Sequence, residues 1–270
     1  MKSSYLFLSF FSLIFALELK AFTFNNSVAA AFEEEKVTIR VSNETCVNAG
    51  VSNAELEDLL RQAVDQYWNK APTSSLYMDI GAPIDTEPEF RTDSPCQGTS
   101  GCEPNPDLIV DSGIVVVCNE NSSIFSSPQI LGVSLTNNIQ GRRLVGSLIL
   151  INDRSDSRFG ERDRDDQVAV LAHEIGHAIG LGHSPVRDSL MFFSTIPKRR
   201  SLGQDDIDGI SFLYPDSFSS SACGTLALNP QTPRGPSKRT QQSPLLLLVG
   251  LSLVLIWNTK TKFWPLVKNE

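Results

Sequence analysis

Asp165-Asp166-Gln167-Val168-Ala169-Val170-Leu171-Ala172-His173-Glu174-Ile175-Gly176-His177-Ala178-Ile179-Gly180-Leu181-Gly182-His183 is the stretch on which the reading of this chain turns. The acidic pair suits a helix N-terminus, where the unsatisfied N–H groups favour negative charge. The apolar residues that follow suit a buried helix. On such a helix His173 and His177 lie one turn apart and point the same way. Two imidazoles so placed can hold one zinc ion at about 2.0–2.1 Å. Glu174 is turned away from that pair as a ligand, but it is well placed to hold a water on the metal and take its proton. Gly180 closes the helix, because it adopts a left-handed conformation without Cβ strain. The chain then turns back and His183 completes a three-histidine site. Three protein ligands leave the fourth position to water, which marks a catalytic rather than a structural zinc.

The rest of the composition sharpens this reading. The chain of 270 residues contains only three histidines, and all of them fall in this stretch. H-E-x-x-H alone occurs by chance on surface helices; the extended H-E-x-x-H-x-x-G-x-x-H spacing is far more specific. Net charge is −8, with no long basic run in the central part. An acidic chain without a basic stripe argues against nucleic acid as the main partner.

Outward from the motif, the central part reads as strands with a few helices that do not strictly alternate, hence an α+β domain. Val37-Thr38-Ile39-Arg40-Val41 alternates apolar and polar residues, as a half-buried strand does. Ser52-Asn53-Ala54-Glu55 is a capping box that opens a helix with Leu56, Leu59, Leu60, Ala63, Val64 and Tyr67 on one face. That stripe is core packing. Residues 75–80 suggest a second strand, 81–106 a loop, and 108–110 and 114–117 buried β-branched strands. Residues 131–136 and 144–152 read as two more strands, joined by a turn around 138–141. A charged loop rich in Asp and Arg, 153–166, leads into the motif.

Cys46, Cys96, Cys102 and Cys118 lie in the central part and Cys223 outside it. In an oxidising compartment the four form two disulfides, against the alternative of buried free thiols. Three connectivities are open, and the short Gly/Ser-rich loop between Cys96 and Cys102 favours that pair for one bridge.

Neither end looks globular. Lys2 precedes a mostly apolar run over residues 5–17, which fits a secretory signal peptide ending near Ala21 better than a membrane span. An A-x-A pattern at Ala29-Ala30-Ala31 offers a second cleavage point. The catalytic segment is expected over 37–216, followed by a Pro/Ser/Thr/Gln-rich linker over 217–243. Residues 244–270 open with an apolar run to Trp257, which as a helix reaches only about 21 Å against a hydrocarbon core of about 30 Å. It reads as an anchor in a thin bilayer or as a processed sorting tail. Either way the chain meets a membrane at some stage, as an exported extracellular or cell-surface protein. The oligomeric state stays open.

With these residues in view, the sequence resembles the metzincin metalloproteases, in which the extended zinc motif is followed by a methionine turn. Ser189-Leu190-Met191-Phe192-Phe193 supplies that turn. Within metzincins it is most similar to the matrixins, because Ser184 follows His183 and because Leu202-Gly203-Gln204-Asp205-Asp206-Ile207-Asp208-Gly209-Ile210-Ser211-Phe212-Leu213-Tyr214 looks like that group's final helix. The resemblance covers residues 166–215 firmly and thins back to about residue 37. It implies a twisted mixed sheet with an active-site helix and a C-terminal helix. It also implies Met191 as an apolar floor beneath the metal. Asp205 and Asp206 would tie the last helix to the methionine turn or to a mature N-terminus. Three departures stand out. The sequence shows no P-R-C-G-x-P-D inhibitory segment, and no histidines remain for a second, structural zinc. Phe193 stands where astacin-like members carry a tyrosine.

The resulting expectation is a zinc endopeptidase that hydrolyses protein or peptide substrates, with Glu174 as general base and His173, His177 and His183 as metal ligands. Substrate is expected along the sheet edge at 131–136, and Phe192, Phe193 and Ile196 are expected to shape an apolar pocket. The 153–166 loop offers carboxylates to calcium; the preferred alternative is a solvated loop whose acids are offset by Arg154, Arg158, Arg162 and Arg164. The rivals are a binding module that kept zinc but lost turnover, which has no need of Glu174, and a non-peptide zinc hydrolase, which has no need of the methionine turn. Asn43-Glu44-Thr45 and Asn121-Ser122-Ser123 are glycosylation sequons.

Overall fold

A mixed six-stranded sheet carries the molecule. Its order is β1 (Ala31–Phe32), β8 (Arg143–Asn152), β6 (Gly113–Asn119), β2 (Lys36–Val41) and β3 (Tyr77–Ile80), with β7 (Gly132–Gln140) added on β8. Only the β7–β8 pairing is antiparallel; β1, β8, β6, β2 and β3 run parallel. A separate ribbon joins β4 (Cys96–Gln97) and β5 (Glu103–Pro104). The helices are α1 (Asn53–Gln66), the short α2 (Glu89–Thr92), α3 (Arg164–Ala178) and α4 (Gln204–Leu213). This is the computed structural model of the chain, and it describes residues 22–97, 102–194 and 200–216.

Both faces of the sheet are covered, which explains why its central strands read as continuous apolar runs. Ile114, Val116, Ile149 and Ile151 point toward α1 and α3 and join the main core. Their neighbours Val115, Val117, Leu148 and Leu150 point the other way, into a second cluster with Leu108, Val110 and Phe125. The side-chain period of two divides each strand between the cores.

α1 forms where the capping box lies: Ser52 Oγ accepts from Glu55 N, and Leu56, Leu59, Leu60, Ala63 and Val64 are all buried. Trp68 follows on a single 3₁₀ turn and is fully buried. Its indole N–H donates to the Ala172 carbonyl at 2.8 Å, so α3 is pinned from below. α3 begins at Asp163, whose side chain accepts from Asp166 N.

Several expectations need correction. Residues 108–110 are not a strand: Pro106–Leu108 is a 3₁₀ turn capped by Asn105, with proline in the first turn. The apolar side chains there cap the second cluster instead. The second strand is shorter than 75–80, starting at Tyr77. The fold also begins before residue 37. Ala30 is fully buried, β1 pairs with β8, and Phe24 bridges Leu181. No periodicity marks this segment, because it is held by contacts with residues more than a hundred positions away.

Two disulfides staple the domain. Cys46–Cys118 closes over 72 residues and Cys96–Cys102 over six. The second is the pair the short loop suggested. Among the described residues no helix is long and apolar enough to cross a membrane. The signal-like segment, the linker, Cys223 and the hydrophobic tail lie outside the described residues.

Candidate metal centre

One helix and the loop after it deliver the three histidines to one point. His173 and His177 come from one face of α3. Gly180, at φ +109°, turns the chain back after the helix. His183 arrives on the loop that follows. The candidate ligand atoms all lie within 4.8 Å of one another, the only such cluster among the described residues.

Orientation is fixed from behind. His173 Nδ1 lies 2.8 Å from the Leu190 carbonyl and His177 Nδ1 lies 2.8 Å from the Leu181 carbonyl. A carbonyl oxygen only accepts, so each Nδ1 carries the proton and each Nε2 keeps its lone pair for a metal. His177 Nε2 and His183 Nε2 stand 3.2 Å apart. Two nitrogens bound tetrahedrally at about 2.0–2.1 Å from zinc lie about 3.3–3.4 Å apart, so the spacing fits that ion. Burial, then the electrostatic influence of the neighbouring His173 ring, holds the His177 pKa down at about 3. Burial lowers His183 too. Both shifts favour the neutral imidazole, the form that ligates.

Glu174 is 7% exposed and faces the edge strand β7. Burial raises its pKa, opposed by the electrostatic influence of His173 and by a hydrogen bond from Ser134. Ser134 Oγ donates to Glu174 Oε2 at 2.7 Å. Sequence reading had placed Ser134 only within an expected substrate edge.

Met191 is 2% exposed and packs beneath the centre. A Cβ built on Gly176, between the two helical histidines, would stand 2.3 Å from Met191 Sδ and 2.7 Å from Trp68 Cζ2. Gly176→Ala is accordingly expected to destabilise the domain by up to about 2 kcal/mol, because both buried neighbours must move at an overpacking cost of about 1–3 kcal/mol. The net figure allows for the roughly 1 kcal/mol that alanine gains over glycine in a helix. A thermal melt that rises instead of falling would show that the floor has room.

The turn carrying Met191 hangs on α4. Asp206, 1% exposed, accepts from Leu190 N at 2.5 Å, Met191 N at 3.0 Å and Gly203 N at 2.7 Å, and also from Ser189 Oγ. Leu190 in turn orients His173. Asp205 accepts from Ser184 Oγ, next to His183. Of the two anchorages the resemblance implied, Asp206 matches the methionine turn, whereas Asp205 ties to Ser184 beside His183.

A strap that spacing arguments missed crosses the other side. Thr23 Oγ1 donates to the His183 carbonyl at 2.7 Å, Gly182 N donates to the Thr23 carbonyl at 2.7 Å, and Asn25 Nδ2 donates to the His177 carbonyl at 3.1 Å. Phe22 and Phe24 pack on Phe212 of α4. Thr23, Phe24 and Asn25 line the cleft over the histidines, opposite Gly132, Val133 and Ser134 of β7.

A cavity of about 160 Å³ opens beside the centre, lined by Leu131, Ala169, Val170, Leu190, Phe192 and Phe193 among others. The expected contribution of Ile196 lies outside the described residues. The acids of the 153–166 loop are largely engaged within the chain. Asp153 is fully buried, accepting from Val47, Asn48 and Ala49 N–H groups and pairing with Arg91. Arg154 pairs with Asp156, Arg158 with Glu161 and Arg200 with Asp165 and Asp166.

Residues 116–215 match the Matrixin family. The chain is 44% identical over 70 residues to matrix metalloproteinase-27 of Tupaia belangeri, covering 25% of this chain and 12% of that protein. It is 35% identical over 101 residues to matrix metalloproteinase-18 of Xenopus laevis, 35% of this chain and 20% of that one. It is 51% identical over 51 residues to metalloendoproteinase 1 of Glycine max, 18% of this chain and 17% of that one. The chain thus spans at most a fifth of the length of these relatives. The matched segment carries the whole histidine cluster, Met191 and α4, and over that segment the chain is similar to the matrixins.

Proposed function

We propose that this chain is a zinc-dependent endopeptidase acting on extracellular or surface proteins, with His173, His177 and His183 as ligands and Glu174 as general base. The observation that carries the reading is the convergence of three Nε2 lone pairs, two of them set by Nδ1–H donation to carbonyls, beside a buried carboxylate. Zinc held there supplies Lewis acidity toward a scissile carbonyl and an attacking water. Glu174 takes one proton from that water as its oxygen bonds the carbonyl carbon. It returns the proton to the amine nitrogen as the C–N bond breaks.

Substrate lies extended along β7, the strand whose outer edge has no partner among the described strands. The cavity beside the centre takes the side chain just after the cleaved bond; Leu131, Val170, Leu190 and Phe192 in its wall favour an apolar one, with Gln129 and Asp166 also on the lining. The two disulfides support an oxidising compartment, in keeping with the signal-like N-terminus. The hydrophobic tail over 244–270 is assigned to membrane attachment on its composition alone.

The test is cleavage of a mixed peptide library by the full chain, before and after removal of metal by a chelator and after zinc is returned. Cleavage is expected to fall to background on chelation and to recover with about one zinc per chain. The cut sites are expected to cluster before apolar residues. One bound zinc with no cleavage of any peptide by the folded chain would favour the binding-module rival.

A further inference from the structure

Ser134 sits on β7 in register with Ile149 of β8. The pleat decides where it points. Val133 and Leu135 pack on the second core cluster, so Gly132 and Ser134 are turned toward α3 and Glu174. At residue 132 a Cβ would lie 2.8 Å from Glu174 Cγ and 3.2 Å from Oε1, so this side of the carboxylate runs against bare backbone. Two residues along, the Ser134 hydroxyl reaches Oε2 at 2.7 Å.

We propose that Ser134 is a positioning residue for the general base: its hydroxyl anchors one oxygen of Glu174 and leaves the other for the water. The proposal rests on the peptidase reading. A glutamate side chain has several rotatable bonds, and its burial alone does not choose the rotamer that meets a substrate water. An oriented base transfers a proton from a fixed geometry, and misplacement by about 1 Å can cost on the order of 10²-fold in rate. The Oγ contributes nothing to the backbone ladder with β8, so its removal leaves the strand in place. It touches neither His173, His177 nor His183 in the hydrogen-bond network described above.

The experiment compares the full chain with Ser134→Ala, Ser134→Thr and Ser134→Val, each loaded with zinc and assayed on one peptide cut by the parent. Ser134→Ala and Ser134→Val are expected to lose about tenfold in kcat, a modest part of what a general base supplies. KM should stay within about twofold, and zinc content and melting temperature should stay unchanged. Ser134→Thr, which restores a hydroxyl on a residue suited to a strand, is expected to recover most of the rate. A kcat within about twofold of the parent in Ser134→Ala, a loss confined to KM, or an equal loss in Ser134→Thr would each overturn the proposal and leave the peptidase reading intact. A parent chain that binds zinc and cuts nothing would overturn both.

Discussion

Glu174→Gln is expected to hold zinc at the parent stoichiometry and to lose at least about 10²–10⁴-fold in kcat, the range a positioned general base supplies. Glutamine preserves the volume of a side chain that is only 7% exposed. Its amide oxygen can still accept from Ser134 Oγ, so the wall formed by β7 is undisturbed. What it lacks is a basic oxygen for the water's proton. The three histidine nitrogens and the carbonyls behind them are untouched. Metal analysis and kcat measured on the same preparation separate the outcomes. A variant that keeps both zinc and turnover removes Glu174 from the mechanism. A variant that loses zinc shows that the carboxylate serves the metal site and not the proton.

The largest effect on stability is expected at Asp206. The buried carboxylate gathers three backbone N–H groups and the Ser189 hydroxyl. Of these four donors, Asp206→Ala leaves Leu190 N, Gly203 N and the Ser189 hydroxyl without their acceptor, while Met191 N keeps Ser189 Oγ at 3.0 Å. Each buried unsatisfied group costs about 1–3 kcal/mol, and some of these three regain water as the turn loosens, so a loss of about 3 kcal/mol or more is expected. At about 2–4 °C per kcal/mol for a domain of this size, the melting point should fall by roughly 6–12 °C. Asp206→Asn should recover little, because an amide offers one accepting oxygen and turns its own N–H₂ toward the donors. Zinc affinity should fall as well, since the Leu190 carbonyl that orients His173 hangs on this carboxylate. A melting point within about 2 °C of the parent would show that the turn is held by its packing and not by Asp206.

The parts of the site readable from sequence are those whose members are close neighbours in the chain. His173, Glu174 and His177 occupy one helical turn, Gly180 ends that helix, and His183 follows at once. Ser52 and Glu55 likewise announce α1 three residues apart. What escaped is held across long separations. Ser134 and Glu174 are 40 residues apart, Asn48 and Asp153 are 105, and Thr23 and His183 are 160. No periodicity encodes such pairs. The apolar run at 108–110 misled for a related reason: its residues are buried as a strand's would be, but proline and the Asn105 cap set the local backbone to a 3₁₀ turn.

If the proposed signal peptide is cleaved, the strap gives the choice of cleavage point a structural meaning. Cutting after Ala21 would release a chain whose first residues are Phe22, Thr23 and Phe24, with every bond to the His177 and His183 carbonyls available. Cutting within Ala29-Ala30-Ala31 would discard those residues, uncover Phe212 and leave the loop bearing the third ligand held on one side only. Two mature forms differing by about eight to ten residues would then share one motif and differ in how firmly they keep their metal. The position of that proposed cut, remote from the active site, would decide which of them is made.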